Sequence, residues 1–328
     1  MRIVFFSLAD LHYLKISLIS IVDNIFCGVI IMYECYNVRR FLKLLVLDAI
    51  IFGLCFVFFF IGRNIAFSAG NLSADEEERV FMPAIMYHSV HEGAPQEYVV
   101  TPAQLESDLK YLKGNGYASV TAQQLADYTR GVGELPEKPV LLTFDDGFYN
   151  NLSILVPLLE KYDMYAIVSV VGAFAENKAA ADPHNDKYSY LTWEDINDII
   201  ASGRVEIGNH TYNMHSVSGG RKGCAIMDGE SCETYSQLLS EDISLLQTEL
   251  HDHSGIVPFV FAYPYGSLCK ESIPVLKENG FLITMTCFER PNYITRNADC
   301  LYNIDRYNRS GLYSTEEFME KLLRDPKQ

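Results

Sequence analysis

At 328 residues, 49% of them hydrophobic, with a formal net charge of -16, the chain can bury one large core and carries a strongly acidic surface. Residues 1–70 hold six basic against four acidic side chains, a balance of +2 that leaves -18 on the remainder. Such a body repels phosphate, which excludes nucleic-acid binding and points to a neutral or cationic partner.

The N-terminal 43 residues contain an apolar patch at 16–33, broken by Asp23 and Asn24. It reads either as a second membrane span or as sequence without a structural role. Residues 44–62 are apolar apart from Asp48 and are long enough to cross a bilayer. Arg39, Arg40 and Lys43 precede this run, and Asp75, Glu76, Glu77 and Glu78 follow it. The positive-inside bias then places a single-pass anchor in the cell membrane with the large domain outside the cell. The alternative is secretion after cleavage at the small-residue stretch Ala66-Phe-Ser-Ala69. Residues 63–79 form a polar, acidic tether, and 80–328 form the exported domain. Five cysteines lie in that domain, and Cys224 and Cys232 flank a loop across which they can pair in an oxidising compartment.

Within the domain, strands and helices alternate. Val80–Tyr87 reads as a strand ending at His88. Thr101-Pro-Ala-Gln104 opens a helix with a capping box and a proline at its first position, and Thr121 caps another. Val140–Phe144 is a buried strand, followed by a helix over 151–162, a strand over 165–171 and a polar excursion over 173–189. Thr192 caps a helix that runs to Ala201, and Val205–Ile207 is a short strand. An insertion over 216–238 is placed to shape a groove. A helix over 240–251, a strand over 259–263, a helix over 271–279, strands over 281–286 and 301–305, and a helix over 315–324 capped at Ser314 complete the chain. About seven such alternations describe an α/β barrel or a doubly wound sheet, in which chemistry collects at the C-terminal strand ends.

Four strand ends carry unusual residues: His88, the Asp145-Asp146 pair, His210 with His215, and Tyr263-Pro264-Tyr265-Gly266. Adjacent strand residues point to opposite faces, so Asp145 and Asp146 are suited to different work, one holding a cation and the other handling a proton. On a loop, both imidazoles of His210 and His215 can converge on one ion. Two nitrogens and a carboxylate make an open zinc-type site that leaves room for water and substrate. A bound ion of this kind polarises a carbonyl and acidifies water.

Thr143-Phe-Asp-Asp-Gly147 together with His210-Thr-Tyr-Asn-Met-His215 resembles the polysaccharide deacetylases, carbohydrate esterase family 4. Met86-Tyr-His-Ser-Val90, Leu191-Thr-Trp193 and Phe261-Ala-Tyr-Pro-Tyr-Gly266 extend the resemblance over about 80–310. It implies a distorted (β/α)7 barrel with a divalent metal at its mouth, zinc first, with cobalt, nickel or manganese as substitutes. It further implies that Asp145 is the general base and that Asp146, His210 and His215 are the ligands. A backbone N–H near Tyr265 would serve as oxyanion donor. The expected reaction is removal of N-acetyl groups from an N-acetylglucosamine-containing glycan, either an exopolysaccharide or peptidoglycan. O-acetyl esterase activity and an inactive glycan-binding barrel are the alternatives.

Three departures from the family pattern stand out. The histidines are five apart rather than four, Ala262 stands where an arginine often tunes the base, and no histidine follows His253. The permuted branch of poly-N-acetylglucosamine deacetylases shows similar features and takes its acid from an N-terminal Tyr-His motif, which His88 matches. No basic partner for Asp145 is legible in the sequence. Tyr263, Pro264 and Tyr265 are candidate substrate contacts or core residues. Trp193, the one tryptophan, is either the floor of a sugar subsite or helix-start packing. Asn209 and Thr211 are candidates to brace the ligands. His91, His184, His251 and His253 read as surface residues.

Overall fold

The computed structural model describes residues 79–176 and 182–324. The chain divides into Met1–Asp75 and Glu76–Gln328, and all described residues belong to the second unit. The expected anchor and the segments before it lie outside the described residues, as does the tether up to residue 78. Among the described residues no helix is long and apolar enough to cross a membrane.

Seven strands form the main path of a curled parallel sheet, β1 Ala84–Tyr87, β2 Pro139–Phe144, β3 Ala166–Val170, β4 Val205–Asn209, β5 Val260–Ala262, β6 Ile283–Met285 and β7 Tyr307–Asn308, and an eighth, Ala118–Ser119, pairs with the start of β2. Their spatial order is β6-β5-β4-β3-β2-β1-β7, with every neighbour parallel. β1, β2 and β3 are buried along their whole length, which is why they read as continuous apolar runs rather than alternating ones. The two faces still separate by alternation. Ile85, Leu142 and Val168 join the cluster under the outer helices, while Ala84, Leu141 and Ile167 pack with Val260 and Ile283. Ile304 bridges Met285 of β6 in parallel, and Tyr307 pairs with Ile85 of β1. The 304–308 segment therefore touches both edges of the sheet.

The helices are α1 Pro102–Gly114, α2 Ala122–Thr129, α3 Val156–Tyr162, α4 Gly172–Ala175, α5 Trp193–Ala201, α6 Cys232–Ser254, α7 Ser272–Glu278 and α8 Thr315–Leu322. Reciprocal capping boxes start α1, α2, α5 and α8, using Thr101 with Gln104, Thr121 with Gln124, Thr192 with Asp195 and Ser314 with Glu317. On α2 the Glu206 carboxylate also accepts from Ala122 N and Gln123 N, which ties that helix to β4.

Several sequence expectations shift. α6 begins at Cys232, eight residues before the expected start, because the Ser231 hydroxyl caps Thr234 N and Tyr235, Leu239, Ile243, Leu246 and Leu250 make one buried stripe. The insertion is correspondingly shorter. The expected strand at 301–305 is instead a 3-10 turn over Ala298–Leu301 followed by β7. The helix expected over 151–162 opens as a wide π turn over Asn151–Leu155. A short strand over Asn292–Ile294, pairing antiparallel with Val80–Met82, has no counterpart in the sequence reading. Cys224 and Cys232 do not pair. Cys224 is buried against Tyr235, whereas Cys232 is exposed on the first turn of α6.

Gly172 sets the wall behind the histidine loop. A Cβ placed there would lie 2.3 Å from Cδ2 of Tyr212, between His210 and His215. Gly172 N donates to Thr211 O, so the same backbone also holds that loop. Gly172→Ala is therefore expected to lower the melting temperature by roughly 3–10 °C in a thermal scan, through overpacking.

Candidate active site

β2 delivers the two aspartates. Asp145 N still donates to Tyr87 O, so Asp145 continues the ladder, points inward and is buried. Asp146 then adopts φ 72, followed by Gly147 at φ 70. This left-handed turn cancels the alternation that would send neighbouring side chains to opposite faces, and both carboxylates reach one cavity. At Gly147 a Cβ would come within 3.0 Å of Val170 Cγ1, so the turn also needs a residue without a side chain.

β4 delivers the histidines by the same device. His210 ends the ladder with its N–H on Val170 O, and Thr211 turns the chain at φ 73. Asn209 braces this turn: its Oδ1 accepts from Thr211 N at 2.8 Å and its Nδ2 donates to Ile243 O at 3.1 Å. Asp242 receives Tyr212 N and Asn213 N, fixing the loop to α6. Neither Asn209 nor the Thr211 hydroxyl touches an imidazole, so their bracing acts through the backbone.

His210 Nδ1 lies 2.8 Å from Ala262 O. A carbonyl can only accept, so Nδ1 carries the proton and Nε2 presents its lone pair. His210 Nε2 is 3.6 Å and His215 Nε2 3.1 Å from Asp146 Oδ1. Burial drives the His210 pKa down. For His215 burial acts in the same direction, but the close Asp146 carboxylate outweighs it and the pKa rises. The donor atoms of Asp146, His210 and His215 all lie within 4.8 Å of one another. Asp146 Oδ1 is buried without a hydrogen bond of proper geometry. An unsatisfied buried carboxylate oxygen facing two imidazoles fits the donor set of a divalent-cation site.

Asp145 has a partner that the sequence reading missed. Arg306, fully buried just ahead of β7, donates Nη1 to Asp145 Oδ1 and Nη2 to Asp145 Oδ2, both at 2.8 Å. Its Nε also donates to Thr286 O and its Nη1 to Thr143 Oγ1. Burial alone would raise the Asp145 pKa, but the Arg306 guanidinium and then His210 hold it far below the ordinary carboxylate range. A cation just after an expected terminal strand was the available signal, but its distance of 161 residues from Asp145 hid the pairing.

His88, at the end of β1, lines the same cavity of about 620 Å³ with Asp145, Asp146, His210, His215 and Tyr265. Its ring stands edge-on to Tyr98 at 4.8 Å, and its Nδ1 is buried without a hydrogen-bond partner. Tyr265, at φ 58 and 43% exposed, packs its ring 4.6 Å from that of His215. The other sequence candidates lie elsewhere. Tyr263 is buried with its hydroxyl on Ser272 Oγ, and Pro264 is buried beneath the loop with its carbonyl against Gly223. Trp193 stacks on His253 at 4.9 Å and is not among the residues lining the cavity. Their apolar bodies are used in packing. His91, read as a surface residue, lines the cavity instead.

Residues 132–283 match the family described as Polysaccharide deacetylase. Over those residues the chain carries the polysaccharide deacetylase pattern, and its relatives bear deacetylase names. It is 27% identical over 260 residues to the poly-beta-1,6-N-acetyl-D-glucosamine N-deacetylase of Escherichia coli (strain K12), which covers 73% of this chain and 38% of that protein. The chain thus spans well under half of that relative. It is 24% identical over 275 residues to the protein of the same name from Staphylococcus epidermidis (strain RP62A), covering 78% of this chain and 88% of that one. Its fold is similar to that of IcaB from Ammonifex degensii, with a TM-score of 0.61 and 25% identity over 74% of this chain and 96% of the other. His88 and Arg306 lie outside the matched residues 132–283, and the fold brings both to the Asp145 side of the site.

Arg306→Leu strands a buried carboxylate and should cost about 3–5 kcal/mol in denaturant unfolding near neutral pH. The unpaired Asp145 carboxyl would then have a raised pKa in the folded state. The loss should therefore shrink as pH falls and the carboxyl takes a proton. An equal loss at pH 5 and pH 8 would show that the ion pair is not its cause.

Proposed function

We propose that this protein is a metal-dependent hydrolase that removes N-acetyl groups from an N-acetylglucosamine polymer, an exopolysaccharide or peptidoglycan. The observation that carries the reading is one cavity in which an ionised Asp145 and His88 face the Asp146, His210 and His215 cluster. The names of the relatives support the N-acetylglucosamine part, and we read the curled sheet as the seven-stranded barrel of the family. The anchor expected at 44–62 would hold this domain outside the cell membrane, with secretion after signal cleavage as the alternative.

Asp146, His210 and His215 would hold the divalent ion, with zinc favoured by the donor set. When bound, it polarises the acetyl carbonyl and acidifies water. Asp145 accepts the proton of the attacking water. Arg306 holds both carboxylate oxygens and keeps that group ionised and fixed in angle. His88 stands across the cavity and gives a proton to the departing amine nitrogen, so water and amide become acetate and a free amine. Tyr265 forms a wall beside His215, and a backbone N–H near it would stabilise the developing oxyanion.

Acetate release from β-1,6-linked N-acetylglucosamine oligomers by the purified full chain tests this. Release should require zinc or a comparable ion, stop with chelator, and fall by about 10²–10⁴ in Asp145→Asn. Stoichiometric zinc without acetate from these oligomers, but with acetate from an O-acetylated glycan, would make it an esterase. Failure to bind any divalent ion would overturn the catalytic reading.

A further inference from the structure

Beyond the two aspartates and Gly147 the chain enters the wide turn over Asn151–Leu155, and Asn150 stands fully buried at its start. An asparagine in that place ordinarily spends its side chain on the first amides of its own helix. Asn150 makes no such bond. Its Oδ1 accepts from Val90 N at 3.0 Å, and its Nδ2 donates to Ser89 Oγ at 2.9 Å and to Asp186 O at 2.7 Å. Turning the amide over would set its oxygen against the Asp186 carbonyl and its N–H groups against the Val90 amide, so one orientation is fixed. Asn151, also fully buried, donates Nδ2 to His88 O at 3.4 Å and to Asn150 Oδ1 at 3.2 Å.

These bonds converge on the backbone that follows a single side chain, His88. The ring of His88 has little else to hold it. Its Nδ1 is buried without a hydrogen-bond partner, and its edge contact at 4.8 Å is with Tyr98, which is itself exposed. Its place in the cavity therefore depends on the backbone from which it hangs. Ahead of His88, Tyr87 O accepts from Asp145 N. Behind it, Asn150 and Asn151 hold His88 O, Ser89 Oγ and Val90 N. The strand end with the histidine and the strand end with the aspartates are thus bonded on both sides of His88. A displacement of about 1 Å in a reacting group can cost on the order of 10²-fold in rate, which gives such a clamp a catalytic consequence.

We propose that Asn150 is a positioning residue for the proton donor: it sets the place of His88 opposite Asp145 by tying the backbone after His88 to the chain that follows Asp146. Asn150 is not among the residues lining the cavity and acts through His88. The inference rests on the reading of His88 as the acid of a deacetylase, and adds the residue that aims it.

The test compares two leaving groups. The amine of a β-1,6-linked N-acetylglucosamine oligomer needs a proton to depart, whereas the nitrophenolate of para-nitrophenyl acetate leaves without one. Both reactions draw on Asp145 and the zinc-loaded centre. In the full chain, Asn150→Ala should lower kcat for acetate release from the oligomer by about 10–100-fold with KM little changed, a loss about tenfold or more beyond its effect on the ester. Added to His88→Ala, it should cost no more than about twofold further, because the two act as one unit. Equal losses on amide and ester, or losses that multiply with that of His88→Ala, make Asn150 structural only and overturn the proposal. If the wild-type chain releases no acetate from the oligomer, the deacetylase reading fails, and imidazole proton–nitrogen spectra of the full chain then decide the positioning. With His88 assigned by its disappearance in His88→Gln, Asn150→Ala should shift or broaden the His88 ring signals and leave those of His210 and His215 in place. Unmoved His88 signals overturn it. Should Asn150→Ala fail to fold, Ser89→Ala deletes one of the Asn150 bonds and takes the same measurements. A smaller loss with the same preference for the amide supports the proposal, and a loss without that preference overturns it.

Discussion

The bidentate pair between Arg306 and Asp145 joins the last strand of the sheet to the second across the interior. Both side chains are buried, Arg306 fully and Asp145 but for its edge on the cavity. Two buried charges are tolerated only where geometry and further hydrogen bonds offset their lost hydration, and here the guanidinium makes four hydrogen bonds, two of them to Asp145. The curl of the sheet follows from the same need, since Arg306 can reach Asp145 only if β7 lies beside β1 and the 304–308 segment also meets β6. The pair therefore serves fold and chemistry together. It draws the edges of the sheet toward each other and keeps one carboxylate charged in a site whose burial would otherwise neutralise it.

Around that pair, two left-handed turns do the aiming. Asp146 and Thr211 both leave the extended region at the end of their strands. Each turn redirects side chains that strand geometry would have pointed apart, and so the carboxylate and two imidazoles meet. Positive φ in non-glycine residues costs free energy and persists where the surroundings over-determine it. The surroundings here are Asn209 on Thr211 N, Asp242 on the two following amides, and Gly147 and Gly172 where no Cβ fits. Rigid bracing of this kind suits a site that must present three donors at one separation.

Legibility in the sequence tracked how local each cause was. Capping boxes at Thr101, Thr121, Thr192 and Ser314 lie within four residues, and all four helices start there. The start of α6 was missed because Ser231 caps it without a reciprocal acidic or amide partner, inside a stretch rich in glycine and polar residues. β7 was misplaced because two residues of ladder leave almost no periodic signal, and its pairing partners are more than 200 residues away. Trp193, Tyr263 and Pro264 read equally as substrate contacts or packing residues, because residue type and neighbourhood do not separate the two; in the fold Trp193 stacks on His253, the Tyr263 hydroxyl meets Ser272, and Pro264 is buried.

By itself the sequence determined the strand–helix alternation, the acidic body, and the set of chemically able residues at strand ends: Asp145, Asp146, His210, His215 and His88. These follow from short-range causes, namely burial patterns, caps, and polar residues where apolar runs stop. Only the tertiary structure decided which of them share a cavity and that Arg306 rather than a residue near Ala262 holds Asp145. Those facts depend on the curling of the sheet, which sets residues 161 positions apart in the chain within hydrogen-bonding distance. No local pattern encodes that curvature, because it arises from the summed twist and packing of all seven strands.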